Sequence, residues 1–291
     1  MFFTTDLHEP EGPVLLPDGS WLVVEMATDR GCVTQISADG RAKKTLARTG
    51  RPNGLAADKD GNIWVAESST PSLLRLGTDG RVETWLTECD GSSFIFPNDL
   101  AFGPDGLLYM TDSGIYIENL VVNGKIRPDY HSLEYDGRVY QIDLKRRRIR
   151  RLDSGLLFTN GICFGPDEAL YINETVTGNV YRYEWNGSEI GPRTLFGNVV
   201  DPAARLGWVG PDGMKFGADG RLYVTVYAQG DVTVLGGDGQ VVERIKTAGK
   251  RPTNLAFGPA GEKRIYVTEV ECGVLESLEV VSDGLPLHVG A

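Results

Sequence analysis

Six residues recur at one position of a repeated phrase: Glu11, Asn53, Asn98, Asn160, Asp212 and, within one residue, Thr253. Each lies seven residues before an aligned turn residue, and each carries a side-chain oxygen. Carboxylate and amide oxygens brought to one point make a site for a hard divalent cation, which prefers oxygen ligands. Glu11 and Asp212 supply the negative charge that a dication needs. Asn and Asp also cap turns ahead of strands with their own side chains, and local structure alone accounts for part of the pattern. Glu11 departs from that explanation, because it is a longer carboxylate among short amides.

A second set lies seven residues after the same turns: Glu25, Glu67, Asp112, Glu174 and Val226, with Glu269 joining if the sixth hairpin is longer by one or two residues. The expectation is a ring of acids folded back beside the first. Such a ring gives the mouth a negative potential that attracts a cation and shifts nearby pKa values. Hydrogen-bonded strand ends are the structural alternative.

A repeat must position both sets. The chain reads EGPVLLPDGSWLVVEM, PNGLAADKDGNIWVAES, PNDLAFGPDGLLYMTDS, TNGICFGPDEALYINET, PDGMKFGADGRLYVTVY and TNLAFGPAGEKRIYVTEV. Aligned on Asp18, Asp60, Asp105, Asp167, Asp219 and Ala260, the phrases are 42, 45, 62, 52 and 41 residues apart. In each, a short apolar strand runs into an Asp-Gly-type turn and an aromatic, β-branched strand runs out, which is a β-hairpin. Weaker hairpins follow at Ser37–Ala47, Gly77–Leu86, Asp136–Leu152, Val180–Phe196 and Asp231–Ile245. Four strands per unit at this period predict an all-β fold, a six-bladed β-propeller with four antiparallel strands per blade, as one domain over residues 1–291. Residues Phe2–Leu7 alternate as a strand does and are expected to latch the ring by pairing beside Gly273–Val281.

Composition narrows the partners. There are 37 glycines among 291 residues, about 13% against an average near 7%; they sit at punctuated intervals, eleven of them directly after Asp, and mark turns. The net charge of −11 argues against nucleic acid or an anionic membrane as partner. The basic run KRRRIRR, Lys145–Arg151, follows the strand VYQIDL and reads as a solvated outer turn. No apolar run approaches the roughly 18 residues of a spanning helix, and MFFTTDLHEPEG lacks the features of a signal peptide, so the expected compartment is the cytoplasm. Cys32, Cys89, Cys163 and Cys272 are far apart and read as buried free thiols, and His8, His131 and His288 form no zinc motif.

The phrases EGPVLLPDG, FTNGICFGPDEALYINET and GPDGMKFGADGRLYV resemble the three metal-bearing motifs of the regucalcin (senescence marker protein)/gluconolactonase family of six-bladed propeller lactonases. The likeness runs from Glu11 to about Glu269, in the same motif order. It implies one divalent cation held by Glu11, Asn160 and Asp212, with Asn98 in FPNDLAFGPDG near metal and substrate. Some members carry an Arg two residues before that Asn, where this chain has Phe96; the departure points to a substrate less polar than a polyhydroxylated aldonolactone.

The resemblance implies a metal-dependent lactonase acting on a small lactone, as a monomer or weak homo-oligomer. The oxygen-only donor set favours Ca²⁺, and the same donors accept Mg²⁺, Mn²⁺ or Zn²⁺. Asp212 is the expected general base, with Glu25 and Glu174 as competitors. Asn98 and Asn53 are expected to donate hydrogen bonds to the lactone. The insertion Gly114–Gly137 is long for a hairpin connection and is expected to roof the pocket, with Tyr116, Ile117, Glu118 and His131 reaching substrate. Two alternatives stay open: a non-enzymatic propeller that binds a cation or a protein, and a hydrolase of other esters or phosphotriesters at the same ion.

Overall fold

Every phrase folds as the inner hairpin of a four-stranded antiparallel sheet. The structure is a computed structural model describing residues 1–186, 189–204 and 207–290. Blade 1 holds Pro10–Leu15, Trp21–Glu25, Cys32–Ile36 and Lys43–Arg48; blade 2 holds Pro52–Ala57, Ile63–Glu67, Ser72–Leu76 and Val82–Leu86. Blade 3 holds Pro97–Phe102, Leu108–Asp112, Gly137–Asp143 and Arg148–Leu156; blade 4 holds Thr159–Phe164, Leu170–Glu174, Asn179–Tyr183 and Thr194–Asn198. Blade 5 holds Gly210–Phe216, Leu222–Tyr227, Asp231–Leu235 and Val241–Lys246. Blade 6 holds Pro252–Phe257, Arg264–Glu269 and Val274–Glu279, and its outermost strand is Phe2–Thr4 from the other end of the chain. The expected latch forms, with Phe2 opposite Glu276 and Thr4 opposite Leu275. The fold is a six-bladed β-propeller. Residues 187 and 188, at the turn of the expected Val180–Phe196 hairpin, lie outside the described residues.

The repeated residues have identifiable work in this architecture. The turn aspartate accepts a backbone N–H two residues on: Ser20 at 3.0 Å from Asp18, Leu107 at 3.1 Å from Asp105 and Arg221 at 3.2 Å from Asp219. That bond is the Asx-turn that makes Asp favourable there. The aromatic on the outgoing strand stacks on the phenylalanine that ends the next blade's inner strand. Ring centroids are 4.9 Å apart for Tyr109 and Phe164, 4.8 Å for Tyr171 and Phe216, and 5.2 Å for Tyr223 and Phe257. Edge-on aromatic pairs contribute about 0.5–1.5 kcal/mol each beyond area burial, so one phrase builds both the hairpin and the blade-to-blade seam. At the closure, Trp21 of blade 1 stacks on Tyr266 of blade 6 at 4.3 Å, and Phe3 of the latch meets Tyr266 at 5.1 Å.

The basic run sits on the outer edge of blade 3, where the Arg147 guanidinium lies 3.7 Å over the Trp85 ring and pairs with Glu83 of blade 2. It therefore fastens one outer strand to its neighbour. The thiols differ from expectation in one case: Cys32, Cys89 and Cys163 are buried, but Cys272 is exposed in the turn after Glu269. Among the described residues, no helix is long and apolar enough to cross a membrane.

Candidate functional site

The expected ring residues all stand at the start of an inner strand. Glu11, Asn53, Asn98, Asn160 and Thr253 are the second residues of their strands, and Asp212 is the third of Gly210–Phe216. A bulge interrupts the inner hairpin of every blade beside this position: between Glu11 and Val14, Pro52 and Leu55, Pro97 and Leu100, Thr159 and Ile162, Pro211 and Met214, and Pro252 and Asn254. A bulge bends its strand and re-aims a side chain. Repeated at the same place in each blade, it turns the start of every inner strand out of the regular ladder. Glu11, Asn53, Asn98 and Asn160 are buried; Asp212 is half-buried.

Two amides are held by the same relay. Asn98 Nδ2 donates to Ser113 Oγ at 3.0 Å, and Ser113 Oγ donates onward to the Thr159 carbonyl at 2.9 Å. Asn160 Nδ2 donates to Thr175 Oγ1 at 3.1 Å, and Thr175 Oγ1 donates to the Pro211 carbonyl at 2.8 Å. Because each hydroxyl spends its proton on a carbonyl, it can only accept from the amide, which sets the amide orientation. Oδ1 of both asparagines is left buried with no protein partner. Each relay ends on the next blade, so it also ties adjacent blades at the mouth. In this orientation Asn98 offers an acceptor oxygen, and one of its two N–H donors is engaged by Ser113.

Blade 6 corrects one expectation. Thr253 Oγ1 is bonded to the Pro10 carbonyl at 2.8 Å and to Thr268 Oγ1 at 2.8 Å, which locks it into the seam with blade 1. The next residue, Asn254, instead reaches Glu11, donating from Nδ2 to Oε1 at 2.9 Å. Glu11 Oε2 has no partner. Asn254 belongs to a layer just beneath the ring, formed by Gly12, Gly54, Asp99, Gly161, Gly213 and Asn254. The four glycines let neighbouring inner strands approach closely. A Cβ on Gly161 would lie 2.3 Å from the Asp212 carbonyl oxygen, and one on Gly213 would lie 2.0 Å from Asn254 Cγ. Asp99 and Asn254 fill the room they leave. Both were readable in the alignment, since NDL and TNL break the Gly of the other phrases.

The acids at this mouth act on one another. Burial, then the charges of Asp99 and Asp212, raise the Glu11 carboxyl well above the usual carboxylate range, against the Asn254 hydrogen bond and Lys215. Burial and Asp99 likewise raise Asp212, opposed by a hydrogen bond from Asn160 and by the charge of Arg51. Sequence reasoning missed Arg51, although it stands two residues before Asn53, as Phe96 does before Asn98. Its guanidinium lies 5.3 Å over the Phe96 ring and donates from Nη1 to Ser68 Oγ at 3.1 Å. Burial lowers its pKa, while Glu9, Glu67, Glu11 and Asp212 oppose that shift.

The second set of acids does different work. Glu25 accepts the His8 N–H at 2.9 Å, Glu67 accepts Arg51 N at 2.7 Å, Asp112 accepts Phe96 N at 2.9 Å, Glu174 accepts Leu157 N at 2.6 Å and Glu269 accepts Arg251 N at 2.8 Å. Each braces the loop that leads into its own inner strand. This is the hydrogen-bonded alternative: the oxygens of these acids serve backbone N–H groups. Glu25 and Glu174 are thereby engaged as braces, which weakens both as competing bases.

The insertion packs inward with its apolar side chains. Ile115 and Leu120 are buried with Phe96 and Phe158, and Ile117 packs against them. Tyr130 reaches across to blade 5, with its ring 5.1 Å from Trp208 and its hydroxyl 2.6 Å from the Gly207 carbonyl oxygen. The segment thus forms an aromatic wall over blades 3 to 5. Tyr116, Glu118 and His131 lie on its exposed side, while Ile117 faces the wall.

Among the described residues, no three His, Cys, Asp or Glu side chains gather as a metal cluster. What gathers is a pair of mutually repelling carboxylates with amide oxygens. The unpartnered Glu11 Oε2, Asn98 Oδ1 and Asn160 Oδ1 fit an oxygen-liganded cation, since buried polar atoms are otherwise paired.

Known proteins agree with this architecture. A gluconolactonase of Zymomonas mobilis is 28% identical over 278 residues, covering 89% of this chain and 75% of that protein. A gluconolactonase structure from Xanthomonas campestris superposes with a TM-score of 0.78 at 22% identity, covering 96% of this chain and 89% of the other. The calcium-binding protein regucalcin from Agrobacterium tumefaciens superposes with a TM-score of 0.77 at 18% identity, covering 99% and 98%. The sequence pattern of the SMP-30/Gluconolactonase/LRE-like region matches residues 9–271, so this chain belongs to that family.

Proposed function

We propose that the protein hydrolyses a lactone at a divalent cation held by Glu11, Asn160 and Asp212, with Asn98 Oδ1 beside it. The observation that carries this reading is the set of unpartnered buried oxygens on Glu11, Asn98 and Asn160, next to two carboxylates that repel each other. The names of the relatives support lactone chemistry, and that of the regucalcin neighbour supports calcium. When bound, the cation supplies electrophilic chemistry, drawing electrons from the ester carbonyl and acidifying water. Mg²⁺, Mn²⁺ and Zn²⁺ are competitors for the same oxygens.

The protein's own groups do the rest. Asp212 takes a proton from the attacking water at a carboxylate oxygen. The water oxygen bonds to the carbonyl carbon, the ring C–O bond breaks, and the proton passes to the departing oxygen, giving a hydroxy acid. Arg51 offers donors to the substrate's oxygens from the blade 2 side. Phe96, beside Arg51, continues with Phe158 and Trp208 as an apolar wall that selects a lactone with an apolar substituent. Tyr116 and Glu118, exposed on the insertion, are assigned to the outer rim of the pocket.

Proton release from a panel of sugar and alkyl lactones, with aryl esters and organophosphates alongside, tests the reading. Chelation should abolish lactone turnover and Ca²⁺ should restore it. Absence of metal-dependent turnover on every lactone overturns it.

A further inference from the structure

A large cavity lies at the other end of the channel. It encloses about 810 Å³ between the lower halves of the inner strands and the C-terminal segment, walled by Leu15, Leu55, Ile162, Phe216, Phe257 and Leu285. Asp99 and Asn254 are its ceiling and the floor of the ring above, so the polar layer separates two compartments. A volume of this size accommodates a small organic ligand.

Two lysines line the cavity: Lys59 is exposed, and Lys215 is the partly buried one. Lys215 projects from the inner strand of blade 5, and its one described hydrogen bond runs from Nζ to the carbonyl of its neighbour Met214 at 3.1 Å. An ammonium has three donors, so two remain for a ligand. The other polar groups of the ceiling are already engaged. Asp99 accepts Leu100 N at 2.8 Å and Ile162 N at 3.4 Å, and Asn254 accepts Leu255 N at 2.8 Å while donating to Glu11.

The C-terminal segment closes this mouth as a strap. Asp283 and Leu285 are pinned to blade 5, through Ala218 N to Asp283 O at 2.8 Å and Leu285 N to Phe216 O at 2.9 Å. Asp283 also accepts Gly261 N at 3.0 Å and Lys263 N at 3.1 Å from blade 6. Beyond Pro286, the strap crosses to blades 3 and 4, where His288 stands edge-on to Phe164 at 5.9 Å. Leu287 and Val289 are 67% and 59% exposed there, an unfavourable place for two apolar side chains.

We propose that this distal compartment binds an apolar-bodied monocarboxylate, its carboxylate on Lys215 and its chain along the apolar walls, beneath a strap hinged at Pro286. The lining also holds Asp18, Asp58, Asp99, Asp283 and Lys59 and is acidic as a whole; those carboxylates are engaged by Ser20, Asn62, Leu100 and Gly261, so one negative charge is accommodated on Lys215 and a dianion such as a phosphate monoester is disfavoured. The site does not require the cation above, although the Lys215 charge is felt at Glu11.

Calorimetric titration of the full chain with decanoate, decanol and decyltrimethylammonium tests this. Decanoate should bind at one site per chain, tighter than decanol, with binding retained in EDTA, and the ammonium should not bind. Lys215→Met should weaken decanoate at least tenfold and leave decanol unchanged, while Lys215→Arg should retain decanoate. Should Lys215→Met fail to fold, the wild-type preference among the three probes decides. Equal binding of all three, no saturable binding, or loss of decanoate binding on chelation would overturn the proposal.

Discussion

Asn254 Nδ2 donates to Glu11 Oε1 at 2.9 Å, joining residues 243 positions apart across the closure of the ring. This bond holds one carboxylate oxygen of Glu11 and leaves the other free for a cation. Glu11→Gln keeps a partner for Asn254 but removes the charge. It should therefore fold, with a melting temperature close to wild type, while losing calcium binding measured by calorimetry. Full calcium affinity in a folded Glu11→Gln would remove Glu11 from the site.

Asp212→Asn should lower kcat by about 10²–10⁴, the usual worth of a positioned general base, with the fold intact. Wild-type kcat in that variant would transfer the role to another acid.

The relays through Ser113 and Thr175 predict an effect from residues that touch neither metal nor substrate. Ser113→Ala and Thr175→Ala each release an asparagine to rotate. Orienting partners of ligands typically contribute 10–100-fold to metal affinity or activity, and a loss in that range is expected. Ser113→Thr should restore most of it, which a general packing defect would not do.

Glu11 and Asp212 also predict how the metal-free protein responds to pH. Their folded-state pKa values are raised, so the folded protein holds more protons than the unfolded chain between the usual carboxylate range and the raised values. With respect to these groups, stability of the metal-free protein should then be greatest below the usual carboxylate range, under about pH 4, and fall as pH rises from there through the raised values. Added Ca²⁺ should flatten the decline, and Glu11→Gln should reduce it without metal. Thermal melts across pH, with and without cation, measure this; a metal-free melting temperature that rises through the window would contradict it.

Arg51→Met removes the cation opposite Asp212 and beside Phe96. It should raise KM for lactones about tenfold or more, the scale of one charge-assisted hydrogen bond, with a smaller effect on kcat. An equal fall in kcat with unchanged KM would assign Arg51 to the reacting atoms.

Much of the molecule was legible in the chain itself. The phrase that runs from an apolar strand through Asp-Gly to an aromatic strand carries its turn, its hairpin and its blade seam in neighbouring residues, as Asp105, Tyr109 and the Tyr109–Phe164 stack show. Local hydrogen bonds and strand alternation repeat with the sequence, so alignment finds them. The position of Glu11, Asn98, Asn160 and Asp212 at the starts of inner strands follows from that same periodicity. Only the closed ring decided which equivalent positions meet. The acids after the turns looked like a second ring, yet Glu67 and Asp112 turn back to the N–H groups of Arg51 and Phe96. Thr253 spends its hydroxyl on the seam, and Asn254 takes its place beside Glu11. Side-chain direction at a bulge, and the room left by a facing glycine, depend on neighbours distant in sequence; spacing along one strand carries no record of them.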